Sequence, residues 1–126
     1  MPHIVIEASP PLLAAIPWAP VLQSLHLALA EPGWAALADL KSRVTPIAVA
    51  LSGTDPHAQQ LVATLWLTNP RPPEMCAAMM QTVSDHLGRA ADTHRDASTW
   101  VQCCVFLREH PKVHYLKREW AAPPHR

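Results

Sequence analysis

Two strand-like runs each lead into a helical stretch and out again, and this twice-repeated order limits the chain to very few folds. In residues 3–7, Ile4 and Ile6 fall on one face and Val5 on the other, the period of two expected of a strand. Ala8, Ser9, Pro10 and Pro11 end it. A helix is predicted to start near residues 18–20, where proline suits the first turn. Leu22, Leu25 and Leu29 follow at i, i+3 and i+7 as its buried stripe, and Pro32-Gly33 stops it. Residues 41–51 read as a second extended region interrupted by Pro46, and Gly53-Thr54-Asp55-Pro56 reads as a turn.

The second half repeats the order. Residues 61–68 are short, apolar and rich in β-formers. Asn69 to Pro73 lead into a helix whose face is marked by Cys76, Met79, Met80, Val83 and Leu87, with Gly88 as its expected stop. Residues 100–107 form the last strand. The prediction is an α/β (α+β) chain of two tandem β-α-β units, approximately residues 1–56 and 57–126 of a single domain. The two halves share a pattern rather than a detectable sequence repeat. Strands within each unit pair in parallel, with the helices on one face of a four-stranded sheet. The opposite face is then bare.

Composition bears on that bare face. Of 126 residues, 49% are hydrophobic and only 16% charged, apolar for so small a chain, so another subunit is expected to cover part of the surface. Ten basic and ten acidic residues balance without a basic stripe, which argues against a nucleic-acid partner. Cys76, Cys103 and Cys104 offer neither a CxxC spacing nor an even count, hence no disulfide framework or zinc site is expected. The segment 12–30 is apolar but broken by Pro17, Pro20, Gln23 and His26, so no membrane span is expected. With no signal-peptide pattern at the start, the expected location is the cytoplasm.

The chain opens Met1-Pro2. Aminopeptidases remove an initiator methionine that precedes a small residue, leaving Pro2 as a secondary amine on a rigid ring at the head of the first strand. Such a group is a fixed nitrogen base. Met-Pro is by itself a common opening, and its meaning depends on what accompanies it.

Three further patterns accompany it: Lys41-Ser42-Arg43-Val44 entering the second strand, Arg71 before the second long helix, and Leu107-Arg108-Glu109-His110-Pro111 followed by Tyr115. Together with Pro2-His3-Ile4-Val5-Ile6-Glu7, and in this order, they resemble the 5-carboxymethyl-2-hydroxymuconate isomerase family of the tautomerase superfamily. The resemblance spans nearly the whole chain. It implies tandem β-α-β units assembled as a homotrimer around a core of three sheets. It also implies a site in each subunit where Pro2 acts as general base and acid in a keto–enol shift of an unsaturated 2-hydroxy or 2-oxo (di)carboxylic acid. Neither cofactor nor metal is implied.

A proton-shuttling amine needs a pKa near neutrality, which burial and nearby cations favour. Ile4 and Trp66 are the candidate apolar neighbours, with Arg43 or Lys41 the cation. A carboxylate substrate needs anchors, best supplied by the planar fork of arginine; Arg43 and Arg71 are the candidates, with Lys41 the third. Lys41 departs from the arginine common at that position in the family, retaining charge but losing the fork. The dicarboxylate specificity is therefore open, and other proline-dependent activities (phenylpyruvate-type tautomerase, dehalogenase, hydratase) compete. So does a non-catalytic oligomeric scaffold. His3 reads as exposed, though near Pro2. Glu109 and His110 read as turn residues, the methionines as core or interface filler, and Cys103-Cys104 as buried strand. Trp120 and the tail to Arg126 read as unpacked or docked on a neighbour.

Overall fold

The computed structural model describes residues 1–122. Its elements are β1 (His3–Ala8), α1 (Pro10–Ala15), α2 (Trp18–Ala30), β2 (Lys41–Pro46), β3 (Gln59–Leu67), α3 (Pro73–His94) and β4 (Val101–Glu109). The strands form one sheet in the order β2-β1-β3-β4. β1 and β2 run parallel, as do β3 and β4, while β1 and β3 meet antiparallel at the centre. The helices lie on one face, as the two-unit pattern predicts.

Alternation along the strands divides the two faces. Ile4, Ile6 and Ala8 of β1 and Leu61, Ala63, Leu65 and Leu67 of β3 are buried toward the helices. They meet Leu12 of α1, Leu25 and Leu29 of α2, and Met79, Val83 and Leu87 of α3 in one cluster. Each fully buried leucine or isoleucine contributes about 1.5–3 kcal/mol relative to exposure, so the central strands and the helical stripe dominate stability. The other face carries Val5, Arg43, Trp66, Cys104, Phe106 and Arg108, and Phe106 remains 55% exposed there.

Four expectations need correction. The Ser9-Pro10-Pro11 stretch does more than end β1: its prolines occupy the first turn of α1, where a missing N–H costs nothing. The extended region at 41–51 contracts to Lys41–Pro46, because proline brings no ladder donor. Gly88 does not stop the long helix, which continues to His94. A mid-helix glycine costs about 1 kcal/mol, less than the burial of Leu87, Ala90 and Ala91 around it returns. Gly53, with φ +57°, does occupy the expected turn. Trp120 is 80% exposed; the end of the tail, residues 123–126, lies outside the described residues. A fourth correction concerns Cys103-Cys104, expected as buried strand: they lie in β4, but Cys104 alternates onto the open face and is exposed, while Cys103 is half-buried, where burial pushes its thiol pKa up. Among the described residues, no helix is long and apolar enough to cross a membrane.

Candidate functional site

The antiparallel seam decides where the site lies. It sets the start of β1 beside the end of β3: His3 is opposite Trp66. β2 begins at the same end, with Lys41 opposite His3, and β4 ends there, with Arg108 opposite Trp66. The amino terminus, the Lys41–Arg43 run and the segments following β3 and β4 are thereby gathered at one edge of the molecule.

A cavity of about 230 Å³ opens there, lined by His3, Arg43, Trp66, Thr68, His110 and Tyr115. The Arg43 Nη1 donates to His3 Nδ1 at 3.2 Å. A guanidinium has no lone pair to offer, so Nδ1 is the acceptor and the imidazole proton resides on Nε2, which is buried without a partner. Burial, then Arg43 and Lys41, lower the His3 pKa, holding the ring neutral. The Tyr115 ring stands edge-on to His3 at 6.2 Å, and His110 edge-on to Trp66 at 6.0 Å. Arg108 caps the Trp66 ring from 5.7 Å.

The amino terminus is tied to this wall. The Met1 ammonium donates to Thr68 Oγ1, and the Tyr115 hydroxyl donates to Met1 Sδ at 3.6 Å. Burial foremost, and then the charge of Arg71, lower the pKa of that amine. Pro2 itself is fully buried, its carbonyl accepting from the Lys41 backbone N–H at 3.2 Å.

The four residues singled out from sequence are thus treated differently. Arg43 lines the cavity, whereas Pro2 is fully buried next to the lining residue His3 and does not line it itself. Lys41 begins β2 beside it, but its Nζ donates to the Ala38 carbonyl at 2.9 Å. Arg71 is drawn away: Nε and Nη2 donate to the Trp34 carbonyl at 3.2 and 3.1 Å, and Nη1 to that of Asn69 at 3.2 Å. It ties the loop before β2 to the loop before α3 and acts on the amine through its charge. Among the charges acting on the amine Arg71 is foremost, opposed by Asp39, while Arg43 and Lys41 act on His3.

Thr68 and the cavity role of His110 escape a reading of the sequence. Thr68 is buried at 7% exposure; a threonine closing an apolar run just before Asn69-Pro70 carries no sign that an amine will meet it. His110 donates from Nε2 to the His114 carbonyl at 3.0 Å, which fixes its ring against Trp66. A second cavity of about 490 Å³ shares Thr68 and His110 and adds Glu109 and Lys112.

No protein-family model and no curated protein matches the chain. Solved structures do. A 5-carboxymethyl-2-hydroxymuconate isomerase from Deinococcus radiodurans is 19% identical, with 93% of this chain and 88% of that chain covered at a TM-score of 0.67. A 5-carboxymethyl-2-hydroxymuconate delta-isomerase is 13% identical, covering 94% and 89% at a TM-score of 0.78. A fused 4-OT wild-type symmetric trimer is 13% identical, covering 90% and 91% at 0.62. At such identities the likeness is one of fold. The chain has the fold of these isomerases and fused 4-OT proteins, as the resemblance of its motifs implies.

Proposed function

We propose that this protein is an isomerase of the tautomerase superfamily, with Pro2, freed by removal of Met1, as its general base and acid. The observation that carries the reading is the amino terminus itself: Met1 is held by Thr68 and Tyr115, two residues lining a small cavity that Arg43 also lines. The surroundings that lower the pKa of the Met1 amine, burial and Arg71, are those a Pro2 amine one residue further in would meet. Lowering an amine's pKa makes its neutral, proton-accepting form more accessible and its ammonium a better acid to return the proton.

In the reaction, the substrate carboxylate pairs with Arg43, and the neutral Pro2 nitrogen takes the enol O–H proton. As the carbonyl forms, the electron pair moves along the conjugated chain to carbon, which receives the proton back from the Pro2 ammonium. Proton and charge balance without a co-reactant. The substrate on this reading is an unsaturated 2-hydroxy or 2-oxo carboxylic acid. The single domain of residues 1–126 works as a homotrimer, with the apolar side chains of the bare sheet face covered between copies, an arrangement for which the trimeric fused 4-OT structure offers support.

The test is ultraviolet-monitored ketonisation by untagged protein whose intact mass places Pro2 first. Pro2→Ala is expected to lower the rate at least about tenfold, the lower side of what a general acid–base group contributes, with oligomeric state unchanged. An equal rate in Pro2→Ala overturns the reading. One observation favours a second one, a non-catalytic scaffold: Met1 finds partners in Thr68 and Tyr115, and a chain that keeps it has an amide at Pro2 and no base. Intact mass of the native protein separates the two.

A further inference from the structure

On the helical side of the sheet, α2 and α3 pack against each other and leave a cleft of about 310 Å³ between them. We propose that this cleft binds a small phosphate monoester, at a site separate from the cavity beside the amino terminus and independent of the isomerase reading. Its two walls repeat at i, i+3 and i+7: Pro17, Pro20 and Ser24 from the α2 side, His86, Arg89 and Thr93 from α3. That spacing sets each trio on one face of its helix. All six but His86 are exposed, so the cleft opens outward from the helix layer. Copies that cover the sheet face leave it accessible.

The charges point to an anion. No carboxylate lines the cleft. The acids one helical turn from Arg89 have other partners: Asp85 accepts from Gln81 Nε2 at 2.8 Å, and Asp92 pairs with Arg95 Nε at 3.6 Å. Arg89 makes no ion pair among the described residues, which leaves its planar fork open to an oxyanion. His86 then favours phosphate over carboxylate. Its Nδ1 donates to the Thr82 carbonyl at 2.9 Å, so the lone pair of the neutral ring is on Nε2. A lone pair calls for a ligand O–H, which a singly protonated phosphate has and a carboxylate lacks. The other phosphate oxygens find donors in Arg89 and in the hydroxyls of Ser24 and Thr93. Pro17 and Pro20 bring no side-chain donor and give the ester's organic group an apolar wall. The volume lies at the lower end of the ~300–1,000 Å³ common for ligand sites, in keeping with a small ester.

The experiment titrates the full chain with phenyl phosphate, inorganic phosphate and benzoate, followed by calorimetry and by backbone amide NMR shifts. Phenyl phosphate is expected to saturate one site per protomer, with the largest shifts in α2 and α3. Arg89→Gln is expected to weaken it at least about tenfold, the scale of a lost charged hydrogen bond. Arg95→Gln, which breaks an exposed ion pair outside the cleft, is expected to leave it within about twofold. Benzoate is expected to bind at least about fivefold more weakly, for want of the O–H and the third oxygen. Inorganic phosphate is expected to bind at least about threefold more weakly, having nothing to lay on the prolines. Equal binding of benzoate overturns the phosphate assignment, and equal binding of inorganic phosphate overturns the ester. An equal loss in Arg95→Gln overturns the role of the Arg89 fork. Binding that survives Arg89→Gln and is lost in Arg43→Gln overturns the site, since the ligand is then held beside the amino terminus. Neither saturable heat nor shifts at millimolar phenyl phosphate overturns the proposal outright.

Discussion

Among single residues, Arg71 and the two shielded histidines have the most predictable effects. Arg71 satisfies the carbonyls of Trp34 and Asn69, so Arg71→Met strands acceptors and is expected to cost about 1–3 kcal/mol in urea unfolding. It also removes a charge that lowers the terminal amine's pKa. The amine then stays protonated to higher pH, and on the proposed reading of an N-terminal base the acid limb of the rate profile moves up. His3 and His26 both lie below their ordinary pKa of 6.5, first through burial and then through Arg43 and Lys41 respectively. Above pH 6.5 they are neutral whether folded or unfolded. As pH falls below that value the unfolded chain binds protons first, and stability declines toward the lower, folded pKa. His3→Gln is expected to flatten this decline in urea unfolding between pH 7 and about 5. The residue scale is also where the sequence is least legible. That Arg71 would be captured by the Trp34 carbonyl depends on loops converging from 37 residues apart, and no local spacing announces it; Lys41 turns back on Ala38, three residues before it.

Secondary-structure elements are far more legible, because each is set by a short-range period. The Ile4/Ile6 alternation and the Leu25/Leu29 stripe are buried as their spacing requires. Leu22, the third member of the stripe, is only partly buried against the same core. The failures are the punctuation marks. Gly88 and Pro10-Pro11 read as stops, yet one lies inside α3 and the other opens α1: glycine's preference of about 1 kcal/mol yields to packing on either side, and proline suits a first turn. Gly88 also offers a test: a Cβ there meets nothing within 4 Å. Gly88→Ala is expected to stabilise the protein by about 0.5–1 kcal/mol, measured by chemical denaturation, without affecting ketonisation.

At the scale of the whole molecule, the sheet with helices on only one side is the consequence that sequence pattern and composition jointly foretell. What the pattern does not disclose is how the two parallel pairs abut, and that seam assembles the cavity. If copies cover the open faces, Phe106, 55% exposed at the centre of β4, lies in the contact. Phe106→Glu, a charge placed in an apolar interface, is then expected to shift the trimer to monomer in light scattering and to leave far-UV circular dichroism unchanged.

The strand order β2-β1-β3-β4 reads the same from either side once the halves are exchanged. The sheet thus has an approximate twofold relation about the seam, and the head of β3 is the topological twin of the head of β1. At that twin position Gln59 is mid-chain, and its N–H is already given to the Trp100 carbonyl at 2.8 Å. Covalent continuity makes one of two equivalent corners chemically inert. On the proposed reading, two nearly equivalent corners of one sheet differ in a single respect, whether the backbone nitrogen at the strand head is a free amine or part of a peptide.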